Sequence, residues 1–125
     1  MNKQSIAIVG LGRVGSIFLE ELVSRPNKNI EVIAVAEKGD TPGKAVATSN
    51  NIPVLDIDAL IAKGEAIDIL FDLTGIAAVR KELREKMMAA DNRHTIIATE
   101  SIAQLIWSLI ASDTALPTVH SKTGY

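Results

Sequence analysis

A short apolar run, Ile6-Ala7-Ile8-Val9, leads straight into Gly10-Leu11-Gly12-Arg13-Val14-Gly15, and residues 16–23 then take up helical periodicity. No other feature of the chain constrains its fold as much. In the order strand, glycine turn, helix, Gly-x-Gly-x-x-Gly signifies a cradle for a dinucleotide rather than a chance run. Each glycine answers a separate requirement. Gly10 permits the tight turn off the strand, Gly12 lets a pyrophosphate approach a backbone without a Cβ, and Gly15 lets the helix lie close on the sheet. The helix that opens near Arg13 aims its unpaired N–H groups and the positive end of its dipole at the phosphates.

Strand-like and helix-like segments alternate along the rest of the chain without a linker or internal repeat. Strands are predicted at 5–9, 30–36, 53–55, 68–73 and 94–99, and helices near 13–24, 42–50, 57–63, 77–90 and 101–111. The runs Ile-Glu-Val-Ile-Ala-Val, Ile-Leu-Phe and Thr-Ile-Ile-Ala suit strands covered on both faces. Such alternation implies right-handed βαβ units and a parallel sheet. The predicted class is therefore α/β, a Rossmann-like doubly wound parallel sheet of five or six strands with helices on both faces. Arg25-Pro26-Asn27 and Asn50-Asn51 read as stops. Pro53 cannot donate to a ladder and suits only an edge strand or the start of a strand, which makes the third strand the weakest of the five. Residues 1–111 form the predicted domain, and 112–125 a polar tail or a short terminal strand.

Composition narrows the rest. Aromatic residues make up only 3% of a chain that is 47% hydrophobic, so the core is built from aliphatic side chains. A net charge of −2 with dispersed lysines and arginines gives nucleic acid no footprint. The absence of cysteine removes disulfides and thiol chemistry. No apolar run approaches the roughly 18 residues that span a bilayer, and no secretory pattern precedes the first strand. The expectation is a cytoplasmic protein with no membrane partner.

The remaining site residues follow from the sheet. Glu37 ends the second strand, where a carboxylate normally accepts hydrogen bonds from the adenosine ribose; otherwise it is an ordinary solvated acid. A carboxylate there repels a 2′-phosphate and favours NAD over NADP, although neighbouring Lys38 could pair with that phosphate. Ligands bind beyond the carboxyl ends of strands where strand order reverses, which brings Thr74 and Gly75 beside the glycine turn. Thr74 can equally serve as a helix cap. Thr99 and Glu100 hold the equivalent place after the fifth strand, but acids also favour helix N-termini without any function. Arg13 could reach the pyrophosphate or be merely solvated, and Asp72 is either a buried carboxylate satisfied by turn amides or a strand-end acid.

Catalytic groups and metal ligands are sparse. His94 lies away from the binding edge and His120 in the tail, so neither joins a catalytic constellation, and a metal site lacks ligands. Asp56 and Asp58 read as a helix cap and a first-turn acid. The segment 80–86 pairs Lys81 with Glu85 and Glu82 with Lys86, which suits a solvated face. The helix through Ile102-Ala103-Gln104-Leu105-Ile106-Trp107-Ser108-Leu109-Ile110 is apolar on nearly every side. It predicts a homodimer or docking surface built around Trp107, Ile106 and Ile110.

With the glycine turn, Glu37 and Asp72-Leu73-Thr74-Gly75 in place, residues 5–110 resemble the nicotinamide-binding N-terminal domains of three families. These are homoserine dehydrogenase, dihydrodipicolinate reductase and the glucose–fructose oxidoreductase-like enzymes. The resemblance implies dinucleotide contacts from Gly10 to Gly15, Glu37, Thr74-Gly75 and Thr99-Glu100. Two departures stand out. Glu100-Ser101-Ile102 replaces the Glu-Lys-Pro whose lysine is catalytic in the last of these families, and the large substrate domain does not follow. A looser likeness is to nucleotide-binding modules fused to bacterial sensor kinases. The expectation is a cofactor-sensing or regulatory NAD-binding module. The alternative is an oxidoreductase fragment or subunit whose catalytic residues come from a partner or missing domain.

Overall fold

A computed structural model describes residues 3–25, 27 and 29–110. The elements run β1 (Gln4–Val9), α1 (Arg13–Ser24), β2 (Ile30–Ala36), α2 (Pro42–Ser49), α3 (Ile57–Ile61), β3 (Ile69–Asp72), α4 (Ala77–Ala89), β4 (Ile96–Ala98) and α5 (Glu100–Ile110), with a 3-10 turn at Gly64–Ala66. All strand pairs are parallel, in the order β2-β1-β3-β4. Among the described residues the sheet thus has four strands instead of five or six. The predicted strand at 53–55 survives only as a bridge between Val54 and Val35. Pro53 has no N–H to offer, so the segment makes two backbone bonds, Val35 N–H to the Pro53 carbonyl and Leu55 N–H to the Val35 carbonyl. That bridge still lies outside β2, where a third strand of a doubly wound sheet would be. The expected tail or sixth strand lies outside the described residues.

Local chemistry sets the helix ends. Thr41 caps α2 by accepting from Lys44 N–H, with Pro42 as its first residue. Asn51 leaves α2 in the left-handed region (φ 60°), and Ile52 N–H closes back on the Ala47 carbonyl. Asp56 caps α3 through Ala59 N–H, and Asp58 reaches Lys86 of α4, so these two acids are structural. The helix expected over 57–63 ends at Ile61, and the chain then turns through the left-handed Gly64 (φ 59°).

Side chains alternate across the sheet into two cores. On one face Ile6, Ile8, Val35, Phe71 and Ala98 meet Val14, Phe18 and Leu19 of α1, Ala47 of α2 and Trp107 of α5. On the other, Ala7, Val9, Ala34, Ala36 and Leu70 meet Leu60 of α3 and Leu83 and Met87 of α4. Both phenylalanines lie in the first core with ring centroids 5.0 Å apart and planes tilted by 56°, a favoured aromatic geometry. The docking surface expected around Trp107, Ile106 and Ile110 is corrected here. Trp107 is buried against the sheet, and Ile106 packs beside it. The apolar side chains that α5 exposes are Ile102, Leu105 and Leu109, with Ile96 of β4 on the same sheet face.

At the amino ends of the strands, Asp68 ties three elements. It accepts from Ser5 N–H (2.8 Å), its Oδ1 lies 2.6 Å from His94 Nε2, and its carbonyl accepts from Ile96 N–H. The Ser5 amide, and after it the His94 ring, hold its carboxyl below the ordinary value of 3.8. A depressed folded pKa means stability present above the unfolded value and lost as pH falls through the folded one. Asp68→Asn is therefore expected to be less stable than the parent above about pH 5, with the difference shrinking in more acidic solution. Urea unfolding at a series of pH values checks this; a difference that persists undiminished in acid refutes it.

Candidate functional site

The register aligns the carboxyl ends of the strands into one crest, with Val9 opposite both Ala36 and Asp72, and Phe71 opposite Ala98. The loops and helix starts that leave this crest carry Gly10 to Gly15, Glu37, Lys38, Thr74, Gly75, Thr99 and Glu100. Gly10 turns off β1 with φ 93°, and its amide bonds to the Ala36 carbonyl. A Cβ at Gly10 would lie 2.8 Å from the Thr74 methyl and 3.0 Å from the Thr74 nitrogen. The turns after β1 and β3 therefore touch, although more than sixty residues separate them in sequence. A Cβ at Gly15 would lie 1.9 Å from the Gly10 carbonyl oxygen. No side chain fits there, and the first turn of α1 sits directly on the glycine turn.

Gly12 is the N-cap of α1. It supplies no side-chain acceptor, and the first helical turn holds no acid. The helix start consequently presents backbone amides and positive dipole toward the crest with no protein anion against them from its own turn. Arg13 is exposed at the first helical position, and Val14 is buried beneath it. Ser16 secures the turn from behind: its hydroxyl donates to the Leu11 carbonyl (2.7 Å) and accepts from Gly43 N–H (2.9 Å).

Glu37 does more than stand at the end of β2. Its Oε1 accepts from Leu11 N–H at 2.6 Å and its Oε2 from Gly39 N–H at 2.8 Å. One carboxylate thus joins the glycine turn to the loop after β2. Each oxygen has further lone pairs, so ribose hydroxyls can add to these bonds without breaking them. Lys38, the next residue, is exposed.

The loops after β3 and β4 are joined by ions. Asp72 is fully buried, and its Oδ1 accepts from both the Thr74 amide (3.1 Å) and the Thr74 hydroxyl (2.7 Å). The Thr74 hydroxyl in turn accepts from Ile76 N–H. Asp72 is therefore the buried, satisfied carboxylate of the two possibilities. Its second oxygen meets Arg80 Nε at 3.0 Å, and Arg80 Nη2 donates to Glu100 at 2.8 Å. Arg80 departs from the solvated face expected of 80–86. Of the two pairs that spacing within the helix predicts, Glu82–Lys86 forms an ion pair, and Arg80 escaped that reading because both of its partners come from other elements. A buried aspartate at a strand end is the only sequence hint that a cation had to come from elsewhere. His94 lies at the opposite end of the sheet, beside Asp68. Among the described residues no group of acids and histidines could hold a metal ion, and no helix is long and apolar enough to cross a membrane.

Residues 10–105 match the family described as homoserine dehydrogenase, NAD binding domain. No curated protein matches the sequence. Among solved structures the fold is similar to GenD2 from gentamicin A biosynthesis in complex with NAD, at 17% identity and a TM-score of 0.55, over 79% of this chain and 34% of that one. It is also similar to S. aureus homoserine dehydrogenase at pH 7.0, at 18% identity and a TM-score of 0.54, over 89% of this chain and 30% of that one. The chain thus spans about a third of the length of these structures, and the likeness shows the Rossmann-like fold.

Proposed function

The chain belongs to the family of homoserine dehydrogenase NAD-binding domains, and from that premise we propose that it is a cofactor-sensing or regulatory module that holds NAD on its crest. The amides from Gly12 to Gly15, at the start of α1, hold the pyrophosphate, with Arg13 as its charge partner. Glu37 takes the adenosine ribose hydroxyls. Thr74 and Gly75 on one side, and Thr99 and Glu100 on the other, flank the nicotinamide half. Bound NAD offers an acceptor for hydride; the chain's own residues bind and orient it.

One observation carries the sensing reading. The ionisable groups that the nicotinamide side gathers, Asp72, Arg80 and Glu100, are bound to one another. None is poised to exchange a proton with a substrate. The second reading, an oxidoreductase completed by a partner chain or further domain, draws support from the span of about a third of the dehydrogenase structure matched.

Calorimetry with the four nicotinamide dinucleotides tests the binding. NAD and NADH are expected to bind at one site, with NADP and NADPH about tenfold or more weaker because Glu37 faces the 2′-phosphate. Absence of heat with all four defeats the reading. Turnover of NAD by the purified chain with an alcohol or aldehyde substrate defeats the sensing role and favours the second reading.

The exposed stripe on α5 is read as the contact with a second copy of this chain. Ile102, Leu105 and Leu109 recur at the spacing of a helix–helix seam. Glu100 is the only charged residue of α5, so two such helices meet without repulsion. Together with Ile96 they expose on the order of 400 Å² of apolar surface per protomer, about half of what each partner buries in a standard interface.

A further inference from the structure

We propose that Arg80 is a positioning residue for the nicotinamide half of the dinucleotide, acting through the carboxylates of Asp72, at the end of β3, and Glu100, at the start of α5. The inference rests on the crest being the dinucleotide site. Two acids at neighbouring element ends repel unless a cation lies between them. The Arg80 guanidinium is that cation, with Nε on Asp72 and Nη2 on Glu100. Its side chain is only 27% exposed and Asp72 is fully buried, so the bridge is not a screened surface pair.

The grip extends further. Asp72 holds both the amide and the hydroxyl of Thr74, and Thr74 packs against Gly10 with no room for a Cβ between them. A continuous path of contacts therefore runs from Glu100, at the start of α5, through Arg80, Asp72 and Thr74 to the first glycine of the phosphate turn. Arginine suits this place because its planar fork presents separate N–H groups to two acceptors at fixed angles. A lysine would satisfy the buried acid as a point charge and leave Glu100 without a directed bond. The adenosine half rests on different contacts, those of Glu37 with Leu11 and Gly39. The two supports meet only at the glycine turn, at Gly10 for the Arg80 path and at Leu11 for Glu37, and otherwise share no contact.

That separation supplies the test. Calorimetry of the full chain is run with NAD and with ADP-ribose, which lacks the nicotinamide. Arg80→Lys is expected to weaken NAD about tenfold, the loss of one charge-assisted bond, while ADP-ribose stays within about twofold. Glu100→Gln leaves the buried Asp72–Arg80 pair intact and is expected to show the same NAD-selective loss. The double variant should lose no more than the worse single one, because both act along one path. Parallel losses for both ligands, or no loss for NAD, overturn the proposal. A parent chain that binds neither ligand overturns the reading of the site itself, whereas one that binds both while Arg80→Lys fails to discriminate overturns only the role of Arg80.

Discussion

Gly15→Ala is expected to abolish dinucleotide binding and to destabilise the fold by about 3 kcal/mol or more, the upper range for forcing extra volume into a packed contact. The added Cβ would lie 1.9 Å from the Gly10 carbonyl oxygen and 2.9 Å from its carbon. Both are backbone atoms, so no rotamer change relieves the clash. Either α1 lifts off β1 or the glycine turn opens, and each moves the amides that face the pyrophosphate. Gly64→Ala serves as the control. Gly64 has φ 59° but nothing within 4 Å of its Cβ position. It should lose only about 1 kcal/mol, from the left-handed backbone alone, with binding intact. Denaturant unfolding and calorimetry on both variants separate the outcomes. If Gly15→Ala unfolds and binds like the parent, the close contact of α1 with the turn is refuted.

Trp107→Ala should cost about 3–5 kcal/mol, the loss for truncating a large aromatic side chain in a core. Its indole is 6% exposed and packs in the cluster with Phe71 and Ala98. Leu109→Ser, two residues further on, removes a side chain that is 77% exposed and should change the stability of the protomer by no more than about 0.5 kcal/mol. Its effect falls on association instead. Light scattering is expected to report a dimer for the parent at micromolar concentration and a monomer for Leu109→Ser. A parent that remains monomeric eliminates the second copy as the partner of α5. A stable Trp107→Ala would place the indole outside the core.

These two helices show how much was legible. The bounds of α1 and β2 were read from the residues themselves, since the glycine turn, an apolar run and a prolyl stop are local features. At 53–55 the sequence promised a strand with an unsuitable residue, and Pro53 reduced it to one bridge on Val35. On α5 the sequence showed apolar residues all round, and periodicity cannot choose a face when every face is apolar. The sheet chose: Ala103 and Trp107 face in, while Ile102, Leu105 and Leu109 face out.

The site divides the same way. The sequence by itself determined that a glycine turn joins a strand to a helix, that an acid ends the second strand, and that strands and helices alternate. All of these rest on the steric and hydrogen-bonding limits of neighbouring residues. Only the tertiary structure decided that Glu37 holds the Leu11 amide and that Arg80 links Asp72 to Glu100, while the approach of Thr74 to Gly10, expected from the strand order, took its atomic form there. Those contacts join residues 8 to 64 positions apart. No local rule assigns a buried charge its partner; the strand order and register bring them within reach, and the cost of leaving Asp72 unpaired in the core makes the contact obligatory.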